Sequence, residues 1–325
     1  MKVSIIIPVF EVTAYIQRCI KSVMNQTYEN IECVIVDDAT QDDSIAKCEQ
    51  LIEDYEGPVE FRILHHQNNR GLSAARNTGL NAAAGNYVYF LDGDDEIAPD
   101  CIEKLIRPVL NDTTIEMVKG VAWRKDEDGS ISPSIPGFRQ QEMDIVSLEA
   151  VRDYFFRNNL SVAAWNKLIR RDFLNQHQLY FKEGVLFEDT LWTFFVVKYL
   201  SHIYTIPDVT YYYHKRPNSI TTGTSKKEKA YYWGLVYEEI ANNFTHGESG
   251  REAKYYVRDF YRRCAASLDS PSFARGASLF KKALSGEQYK TERVILSITV
   301  ILSKTAFGRY LFPFFLKLIS FIKRL

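Results

Sequence analysis

Residues 87–95 read Tyr-Val-Tyr-Phe-Leu-Asp-Gly-Asp-Asp, an apolar run that ends in a group of three carboxylates. The run predicts a buried strand over 87–91, because a short apolar segment bounded by turn residues is typical of a strand covered on both faces. An Asp-x-Asp directly after such a strand points two carboxylates toward one site. Mg²⁺ and Mn²⁺ prefer oxygen ligands of this kind together with substrate phosphates. A solvated turn leading into the next helix is the alternative interpretation.

The strand at 87–91 is the fourth of a regular series in the first 110 residues. Apolar runs predict the earlier strands at 3–9, 31–36 and 59–64. Helical spacing predicts helices over 13–25, 44–55 and 72–84, with Thr13 and Ser44 as the N-caps of the first two. This alternation predicts an α/β fold with a mainly parallel central sheet flanked by helices. Ligands bind beyond the carboxyl ends of the strands in such sheets, and there Asp37 and Asp38 follow the second strand.

The composition is that of an ordinary globular protein, since the 325 residues include 40 basic and 41 acidic side chains and are 46% apolar. The balanced charge argues against a nucleic-acid partner. Five cysteines at irregular spacings indicate neither a zinc site nor a disulfide framework, and they favour a reduced, cytoplasmic setting. We expect three regions, at 1–120, 121–225 and 226–325, the last of them largely helical.

The segment 294–325 differs from the rest of the chain because it is apolar and carries five basic and no acidic residues. Its uninterrupted apolar runs are shorter than the roughly 20 residues that span a bilayer, and Pro313 interrupts the predicted helix. We therefore expect this tail to lie on a membrane surface, with its aromatic residues at the acyl boundary and its cations on anionic lipid. A helix pair packed on the protein's own core is the alternative.

The turn after the first strand lacks the Gly-x-Gly-x-x-Gly of dinucleotide-binding folds, and the chain has no Gly-x-x-x-x-Gly-Lys-Ser/Thr loop. A bound nucleotide would therefore depend on a metal ion and on side chains. The stretch 68–77, which opens the third helix, offers Arg70 and Arg76 for that purpose beside Gly71, since helix N-termini favour anions and glycine permits close approach. A solvated turn is equally compatible with this loop.

Five motifs in the chain resemble those of glycosyltransferase family 2 in their order and spacing. They lie at 3–10, 25–28, 35–44, 69–77 and 90–95, and a weaker resemblance continues through 213. The resemblance implies a GT-A fold, a nucleotide-diphosphate-sugar donor, a divalent cation (Mn²⁺ or Mg²⁺) and inversion at the anomeric carbon of the transferred sugar. It also makes 1–120 the nucleotide-sugar-binding half and 121–225 the acceptor-binding half of one GT-A domain.

The resemblance assigns donor-site roles to the positions that match the family's motifs. The nucleotide-sugar site takes seven residues from strand ends and loops: Pro8, Phe10, Asp38, Arg70, Arg76, Asp92 and Gly93. Pro8 and Phe10 border the nucleoside, and Asp38 accepts a hydrogen bond from the base. Asp94 is the principal metal ligand, and Asp92 faces both the ribose and the metal. Asp95 either orients these two carboxylates or caps the next turn.

The segment 211–220 resembles a loop that closes over the donor in this family. It places His214 and Arg216 near the diphosphate and the metal, since arginine pairs with phosphate oxygens and histidine is a common metal ligand. His214 is therefore counted among both the donor-binding and the metal-binding residues. A basic surface turn is the alternative interpretation.

The second half of the chain supplies the expected catalytic base and acceptor site. The segment 181–190 resembles the family's Glu-Asp segment, and it makes Asp189 the base that deprotonates the acceptor hydroxyl, with Glu188 as the alternate. Both carboxylates could instead simply favour the N-terminus of a helix. The segment 164–168 resembles the floor of the acceptor site and contributes Trp165, Asn166 and Lys167, although a lone tryptophan is more often part of the core.

These features predict a metal-dependent inverting glycosyltransferase that transfers a sugar from a nucleotide-diphosphate sugar, with UDP as the expected nucleotide, to a glycan or lipid-linked acceptor. We expect it at the cytoplasmic face of the membrane, in surface-polysaccharide synthesis. One alternative is a degenerate relative that binds nucleotide sugars or assists assembly. Another is an Asp-x-Asp phosphohydrolase, whose motif should end the first strand and carry Thr or Val where this chain has Glu96.

Overall fold

The structure is a computed structural model of the 325-residue chain. It describes residues 1–126, 128–134, 140–157, 159–215, 223–244, 252, 255–257, 259–260, 263 and 271–283. The chain forms two compact units, one made of Met1–Gly184 with Trp192–Arg216 and the other of Val185–Leu191 with Pro217–Leu325. The boundaries expected at 120 and 225 stay predictions.

The first unit holds a ten-stranded sheet. Its strands are β1 Val3–Val9, β2 Ile31–Asp37, β3 Glu60–His65, β4 Tyr87–Phe90, β5 Glu96–Ile97, β6 Met117–Lys125, β7 Ile131–Pro133, β8 Met143–Val146, β9 Lys167–Arg170 and β10 His202–His214. The helices before the second unit are α1 Ile16–Met24, α2 Ser44–Glu53, α3 Leu72–Ala82, α4 Cys101–Asn111, α5 Leu148–Phe156 and α6 Arg171–Gln176. Helix α7, Glu188–Tyr199, begins in the second unit and ends in the first, and the second unit also holds α8 Lys226–Asn242 and α9 Pro271–Ala283.

The first four strands confirm the predicted alternation of strands and helices. They lie in the order β3-β2-β1-β4, and each neighbouring pair is parallel. Every residue of β1 is buried, as its continuous apolar run predicts. Strand β3 has only exposed and partly buried residues, because it lies at the edge of the sheet. The carboxyl ends of these strands therefore meet at one edge, where the acidic motif follows β4.

The second half of the sheet is mixed, so the mainly parallel order that the sequence predicted holds throughout β1 to β4, and beyond them one described pair, β6 with β10, is parallel. Strand β9 runs antiparallel to both of its neighbours, β4 and β6. The 13-residue β10 pairs parallel with β6 and antiparallel with the short β5, which follows the acidic motif directly. This last pairing fastens the chain just after the carboxylates to β10.

The caps of the first two helices differ from the prediction. Thr13 does not cap α1, which begins at Ile16 with Tyr15 as its N-cap. Ser44 is the first residue of α2, and its hydroxyl accepts a hydrogen bond from the backbone N–H of Val12 at 3.1 Å. The Ser44 hydroxyl therefore connects the start of α2 to the loop that follows β1.

The described part of the second unit is largely helical, in agreement with the expected helical C-terminal extension. The tail at 294–325 lies outside the described residues, so the membrane surface stays an expectation for it. Within the described ranges, no helix combines the length and the apolar character that a membrane span requires.

Candidate active site

The centre of the candidate site is the acidic loop between β4 and β5. Asp92, Asp94 and Asp95 each offer a carboxylate oxygen, and these oxygens lie within 4.8 Å of one another. Asp92 and Asp94 are partly exposed, whereas Asp95 is buried. Gly93 permits the loop to pass close to the end of β1, because a Cβ there would lie 3.1 Å from the carbonyl oxygen of Pro8.

Asp95 holds the acidic loop against β10. Its carboxylate accepts a hydrogen bond from the Tyr211 hydroxyl at 2.6 Å and one from the backbone N–H of His214 at 2.7 Å. Burial raises the pKa of Asp95 well above its usual value, and the charges of Asp94 and Asp92 raise it further. These contacts join the acidic loop to β10, and both roles that the sequence left open for Asp95 stay predictions.

The residues of the loop fit a divalent cation. Two partly exposed carboxylates stand beside a third whose pKa is raised by burial and by their charge, so three acidic groups share one small region. All three groups offer hard oxygen atoms, which Mg²⁺ and Mn²⁺ prefer. Asp92 and Asp94 would hold such an ion, since the carboxylate of Asp95 is buried among its own donors.

Glu96, at the start of β5, collects basic side chains from three elements. Its carboxylate lies 2.8 Å from Nζ of Lys125, 3.3 Å from Nε2 of His214 and 3.9 Å from Nε of Arg18. Burial raises the pKa of Glu96, but His214 and Lys125 outweigh it and lower that pKa to about 2. Arg18 also donates a hydrogen bond to the backbone carbonyl of Asp94 at 2.6 Å. This cluster fixes the chain on both sides of Asp95.

His214 is the last residue of β10, so 211–214 lie in a strand. Residues 216–220 lie outside the described residues, and closure of 211–220 over the donor stays a prediction. The imidazole of His214 faces Glu96, and it is not part of the three-carboxylate cluster found among the described residues. Metal binding by His214 therefore stays a prediction. Arg216 lies outside the described residues.

Asp38 organises the loop that opens α3. Its carboxylate accepts hydrogen bonds from the backbone N–H of Arg70 at 2.9 Å and of Gly71 at 2.7 Å, and it contacts Nδ1 of His66 at 2.7 Å. Gly71 has a φ of +86°, a conformation that favours glycine. Three partners occupy most of the roughly four acceptor positions of a carboxylate. The predicted contact of Asp38 with a base stays a prediction, whereas its support of this loop is a structural fact that sequence reasoning missed.

Arg70 of this loop and Arg76 of α3 both pair with carboxylates. Arg76 is 1% exposed, donates a hydrogen bond to Oδ1 of Asp92 at 2.8 Å and lies 5.2 Å from the ring centre of Phe181. The guanidinium of Arg70 donates to both carboxylate oxygens of Glu183 at 3.2 Å. Arg76 thereby orients a predicted metal ligand.

The two apolar residues predicted near the nucleoside lie at the end of β1. Phe10 is 39% exposed and follows the strand directly, whereas Pro8 is buried within it. An exposed aromatic ring beside the acidic loop's strand is available to stack on a base.

The three predicted acceptor residues line one cavity of about 280 Å³. Trp165 stacks on Tyr211 with ring centres 4.5 Å apart, and its ring centre lies 6.2 Å from that of Tyr213. Asn166 is buried at a φ of +59°, and its side chain binds the backbone oxygen of Gly120 and the hydroxyl of Thr210. Tyr211 thus contacts both Trp165, which lines the cavity, and Asp95 of the acidic loop.

Lys167, the third predicted acceptor residue, is buried and donates a hydrogen bond to the backbone oxygen of Ala163. Glu188 and Asp189 form the first turn of α7 in the second unit, where Glu188 is buried and Asp189 is partly exposed. The role of either carboxylate as base stays a prediction.

Sequence reasoning missed several residues that build the site. Glu96 and Tyr211 could have been found, because Glu96 directly follows the acidic motif and Tyr211 belongs to an aromatic triplet within a predicted strand region. Arg18 and Lys125 carry no local signal, since each is an ordinary basic residue of a helix or strand.

Comparison with known proteins gives a consistent family. Residues 4–177, more than half of the chain, match the family model described as Glycosyl transferase family 2. Glycosyltransferase GlyA of Streptococcus pneumoniae is 35% identical over 193 residues, which are 58% of this chain and 27% of GlyA. The protein EpsH of Bacillus subtilis is 30% identical over 229 residues, which are 69% of this chain and 64% of EpsH. The chain thus spans less than two thirds of the length of either relative.

Two solved structures share the fold. The structure of S. aureus TarS in complex with UDP-GlcNAc has a TM-score of 0.61 and 21% identity, covering 93% of this chain and 81% of that one. The mannosyltransferase PcManGT of Pyrobaculum calidifontis in complex with GDP-Man and Mn²⁺ has a TM-score of 0.56 and 15% identity, covering 96% of this chain and 83% of that one. The predicted GT-A fold is therefore confirmed, and the chain belongs to glycosyl transferase family 2.

Proposed function

We propose that this protein is a metal-dependent inverting glycosyltransferase that uses a nucleotide-diphosphate sugar, with UDP as the nucleotide. The observation that carries the proposal is the cluster of three carboxylates within 4.8 Å at the carboxyl end of β4. The complexes of two structural neighbours with UDP-GlcNAc and with GDP-Man and Mn²⁺ support it.

Asp92 and Asp94 would hold Mn²⁺ or Mg²⁺, which when bound neutralises charge on the departing diphosphate. The protein's own contribution is to position these two carboxylates. Arg76 holds Asp92, and Arg18 holds the backbone at Asp94. Asp95 is fixed by β10, so the loop is organised before the donor arrives, and this preorganisation favours catalysis.

The acceptor hydroxyl needs a base on the face of the sugar opposite the diphosphate, and we assign that role to Asp189, with Glu188 as the alternate. The resemblance of 181–190 to the family's Glu-Asp segment supports this assignment. Both residues lie in the first turn of α7, where a carboxylate also stabilises the helix N-terminus. A substitution at Asp189 therefore has to be tested for its effect on turnover.

We further propose a glycan or lipid-linked acceptor in surface-polysaccharide synthesis at the cytoplasmic face of the membrane. The basic apolar tail at 294–325 supports a peripheral membrane location, since such segments bind anionic lipid surfaces. Trp165 supports a saccharide acceptor, because an aromatic face beside a cavity suits the apolar face of a sugar ring.

The experiment is release of nucleotide diphosphate from a panel of UDP- and GDP-sugars, measured with and without Mn²⁺ and candidate acceptors. We expect Asp94→Ala and Asp189→Ala each to lower turnover by about 100-fold or more, as expected for loss of a metal ligand or a general base. Asp54→Ala, at an exposed position after α2, is the matched control and should leave turnover unchanged.

Turnover unaffected by Asp94→Ala would overturn the metal assignment, and turnover unaffected by Asp189→Ala would overturn the base assignment. Binding of a nucleotide sugar to the wild-type protein without turnover on any acceptor would favour the degenerate binding or assembly protein. Hydrolysis of a simple phosphate monoester without sugar transfer would favour the phosphohydrolase.

A further inference from the structure

One bulky residue beside the candidate base has an uncommon backbone conformation. Phe187 directly precedes Glu188 and Asp189, and its φ of +64° lies in the left-handed region. An aromatic residue is rare there, because its Cβ crowds the following carbonyl oxygen. A conformation of this kind persists only where the surrounding structure enforces it. The contacts of Phe187 therefore determine how the chain enters the first turn of α7, which holds both carboxylates.

The ring of Trp233 on α8 holds the ring of Phe187 in place. The two ring centres lie 4.1 Å apart, and the ring planes differ by 5°. Trp233 is 7% exposed, whereas Phe187 is partly exposed. Both residues belong to the second unit. A close parallel stack restricts the position and the tilt of the Phe187 ring, and it thereby supports the left-handed backbone that carries the ring.

Trp233 is itself fixed by an arginine. The guanidinium carbon Cζ of Arg263 lies 4.0 Å from the centre of the Trp233 ring, within the range of a cation–π contact. Nε of Arg263 donates a hydrogen bond to Oδ2 of Asp259 at 2.9 Å, and the Tyr237 hydroxyl donates one to the same oxygen. Tyr237 and Asp259 are 0% and 9% exposed. These buried partners leave the tryptophan ring little freedom to move.

The backbone connects Phe187 to the first turn of α7. The carbonyl oxygen of Phe187 accepts a hydrogen bond from the backbone N–H of Thr190 at 3.1 Å. Glu188 and Asp189 lie between these two residues, so a rotation of the chain at Phe187 would move both carboxylates. A displacement of about 1 Å at a catalytic group can lower a rate about 100-fold. The conformation of Phe187 is thus a determinant of the position of the candidate base.

The rest of α7 is held by contacts that do not include Trp233. Trp192 is 1% exposed and stacks on Phe181 with ring centres 4.7 Å apart. Its Nε1 donates a hydrogen bond to the backbone oxygen of Leu179 at 2.9 Å. These three residues belong to the first unit. Loss of the Trp233 ring should therefore disturb the first turn of α7 and leave the remainder of the helix in place.

We propose that Trp233, backed by Arg263, is a positioning residue for the catalytic base, because it holds Phe187 in the left-handed conformation that orients Asp189. The inference rests on the proposed function, which supplies the base. It assigns the helical second unit a part in the chemical step, separate from any part that the tail at 294–325 has at a membrane. Trp233 acts only through the position of the carboxylate.

The first test removes the Trp233 ring from the full-length protein. Steady-state kinetics with Mn²⁺ would use the nucleotide sugar and acceptor that give the highest turnover in the panel described above. We expect Trp233→Leu to lower kcat about 10- to 100-fold and to change the KM for the nucleotide sugar by less than about threefold, because a misplaced base slows the chemical step without weakening donor binding. Trp233→Phe keeps a stacking ring and should recover kcat to within about threefold of wild type.

Tyr231, on the same helix, provides the matched control. It is 49% exposed, so Tyr231→Leu should leave kcat and KM unchanged. An unchanged kcat in Trp233→Leu, with or without a raised KM for the donor, would overturn the proposal. Equal losses of kcat in Trp233→Leu and Trp233→Phe would also overturn it, since stacking would then not be the cause.

Phe187 allows the same contact to be broken from its more exposed side. If loss of the buried Trp233 ring prevents folding, Phe187→Leu removes the stack at a partly exposed position. We expect this variant, with a circular dichroism spectrum like that of the wild-type protein, to show the same loss of kcat at an unchanged donor KM. A wild-type kcat in folded Phe187→Leu would contradict the proposal.

The second test asks whether Trp233 acts through Asp189. In Asp189→Ala the orientation of the carboxylate no longer matters, so adding Trp233→Leu should lower kcat by less than about twofold further. Equal fold losses in the two backgrounds would show independent effects and overturn the proposal. Wild-type turnover in Asp189→Ala would refute the base assignment and this inference together. Loss of turnover in Asp189→Ala, with full turnover in Trp233→Leu, would refute the inference alone.

Discussion

Replacing Tyr211 with phenylalanine removes a single hydroxyl from the support of the acidic loop. In the wild-type protein that hydroxyl donates a hydrogen bond to Asp95 at 2.6 Å, and the two residues are 0% and 1% exposed. The phenyl ring preserves the stacking on Trp165, so the substitution isolates the loss of the donor. A buried carboxylate then loses one of its hydrogen-bond partners and cannot recover it from solvent.

The expected loss in the free energy of unfolding follows from the burial of this hydrogen bond. An intramolecular hydrogen bond contributes about 0.5–1.5 kcal/mol net, and leaving a buried polar partner unsatisfied costs about 1–3 kcal/mol of desolvation. We expect Tyr211→Phe to lower the free energy of unfolding by about 2 kcal/mol. That loss corresponds to a decrease in Tm of about 4–8 °C for a unit of roughly 200 residues.

A second tyrosine on the same strand provides the matched control. The hydroxyl of Tyr204 donates to the carboxylate of Glu142 at 2.7 Å, a bond of nearly the same length at an exposed position. Tyr204→Phe should cost less than about 0.5 kcal/mol, because water replaces the lost bond.

Urea denaturation followed by tryptophan fluorescence and circular dichroism would measure both variants against the wild-type protein. The losses in the free energy of unfolding caused by the two substitutions should differ by more than about 1 kcal/mol. If Tyr211→Phe and Tyr204→Phe change the free energy of unfolding equally, burial does not strengthen the bond to Asp95, and the argument that β10 supports the acidic loop is refuted.

Gly120→Ala should lower the free energy of unfolding, measured by urea denaturation, by about 2 kcal/mol, because the added Cβ would lie 2.0 Å from Oγ1 of Thr210. The double variant Gly120→Ala/Thr210→Ala should lower it by less than the sum of the two single changes. Strict additivity would contradict the clash. Glu96→Gln should lower the free energy of unfolding at pH 7 by about 2 kcal/mol, after allowance for partial exposure. Because the folded-state pKa of Glu96 is lowered from 4.5 to about 2, its contribution is present above pH 4.5 and is lost as the pH falls toward 2. The difference in the free energy of unfolding between Glu96→Gln and the wild-type protein should therefore shrink as the pH falls from 4.5 toward 2. A difference that stays constant over this range would contradict the ion pairs. Deletion of 294–325 should move the protein from the membrane fraction to the soluble fraction on sedimentation, and unchanged partitioning would contradict the surface-binding tail.

The sequence sufficed for the parts of the site whose signals are local. An apolar run followed by Asp-Gly-Asp-Asp predicted both the buried β4 and the carboxylate cluster, and the structure confirms both. The cluster was predictable because its members are neighbours in the chain and follow one strand directly. The same reasoning succeeded for β1 and β2, whose continuous apolar runs require burial on both faces.

Sequence reasoning did not identify side-chain partners that lie far along the chain. Arg76 was expected at the nucleotide-sugar site, which stays a prediction, and its hydrogen bond to Asp92 was not foreseen. Ser44 was expected to cap α2, yet its hydroxyl binds the loop after β1. In both cases the residue type correctly indicated a hydrogen-bonding side chain. Its partner, however, lies in a loop that follows a different strand.

By itself the sequence determined the alternation of strands and helices in the first half, the place of the acidic loop and the family. Only the tertiary structure decided that β9 runs antiparallel between β4 and β6, and this register is what places Lys167 opposite Lys119. The physical reason is that hydrophobic periodicity reports how one segment is buried, whereas the partners of a buried charge depend on which distant strands pair and in what register.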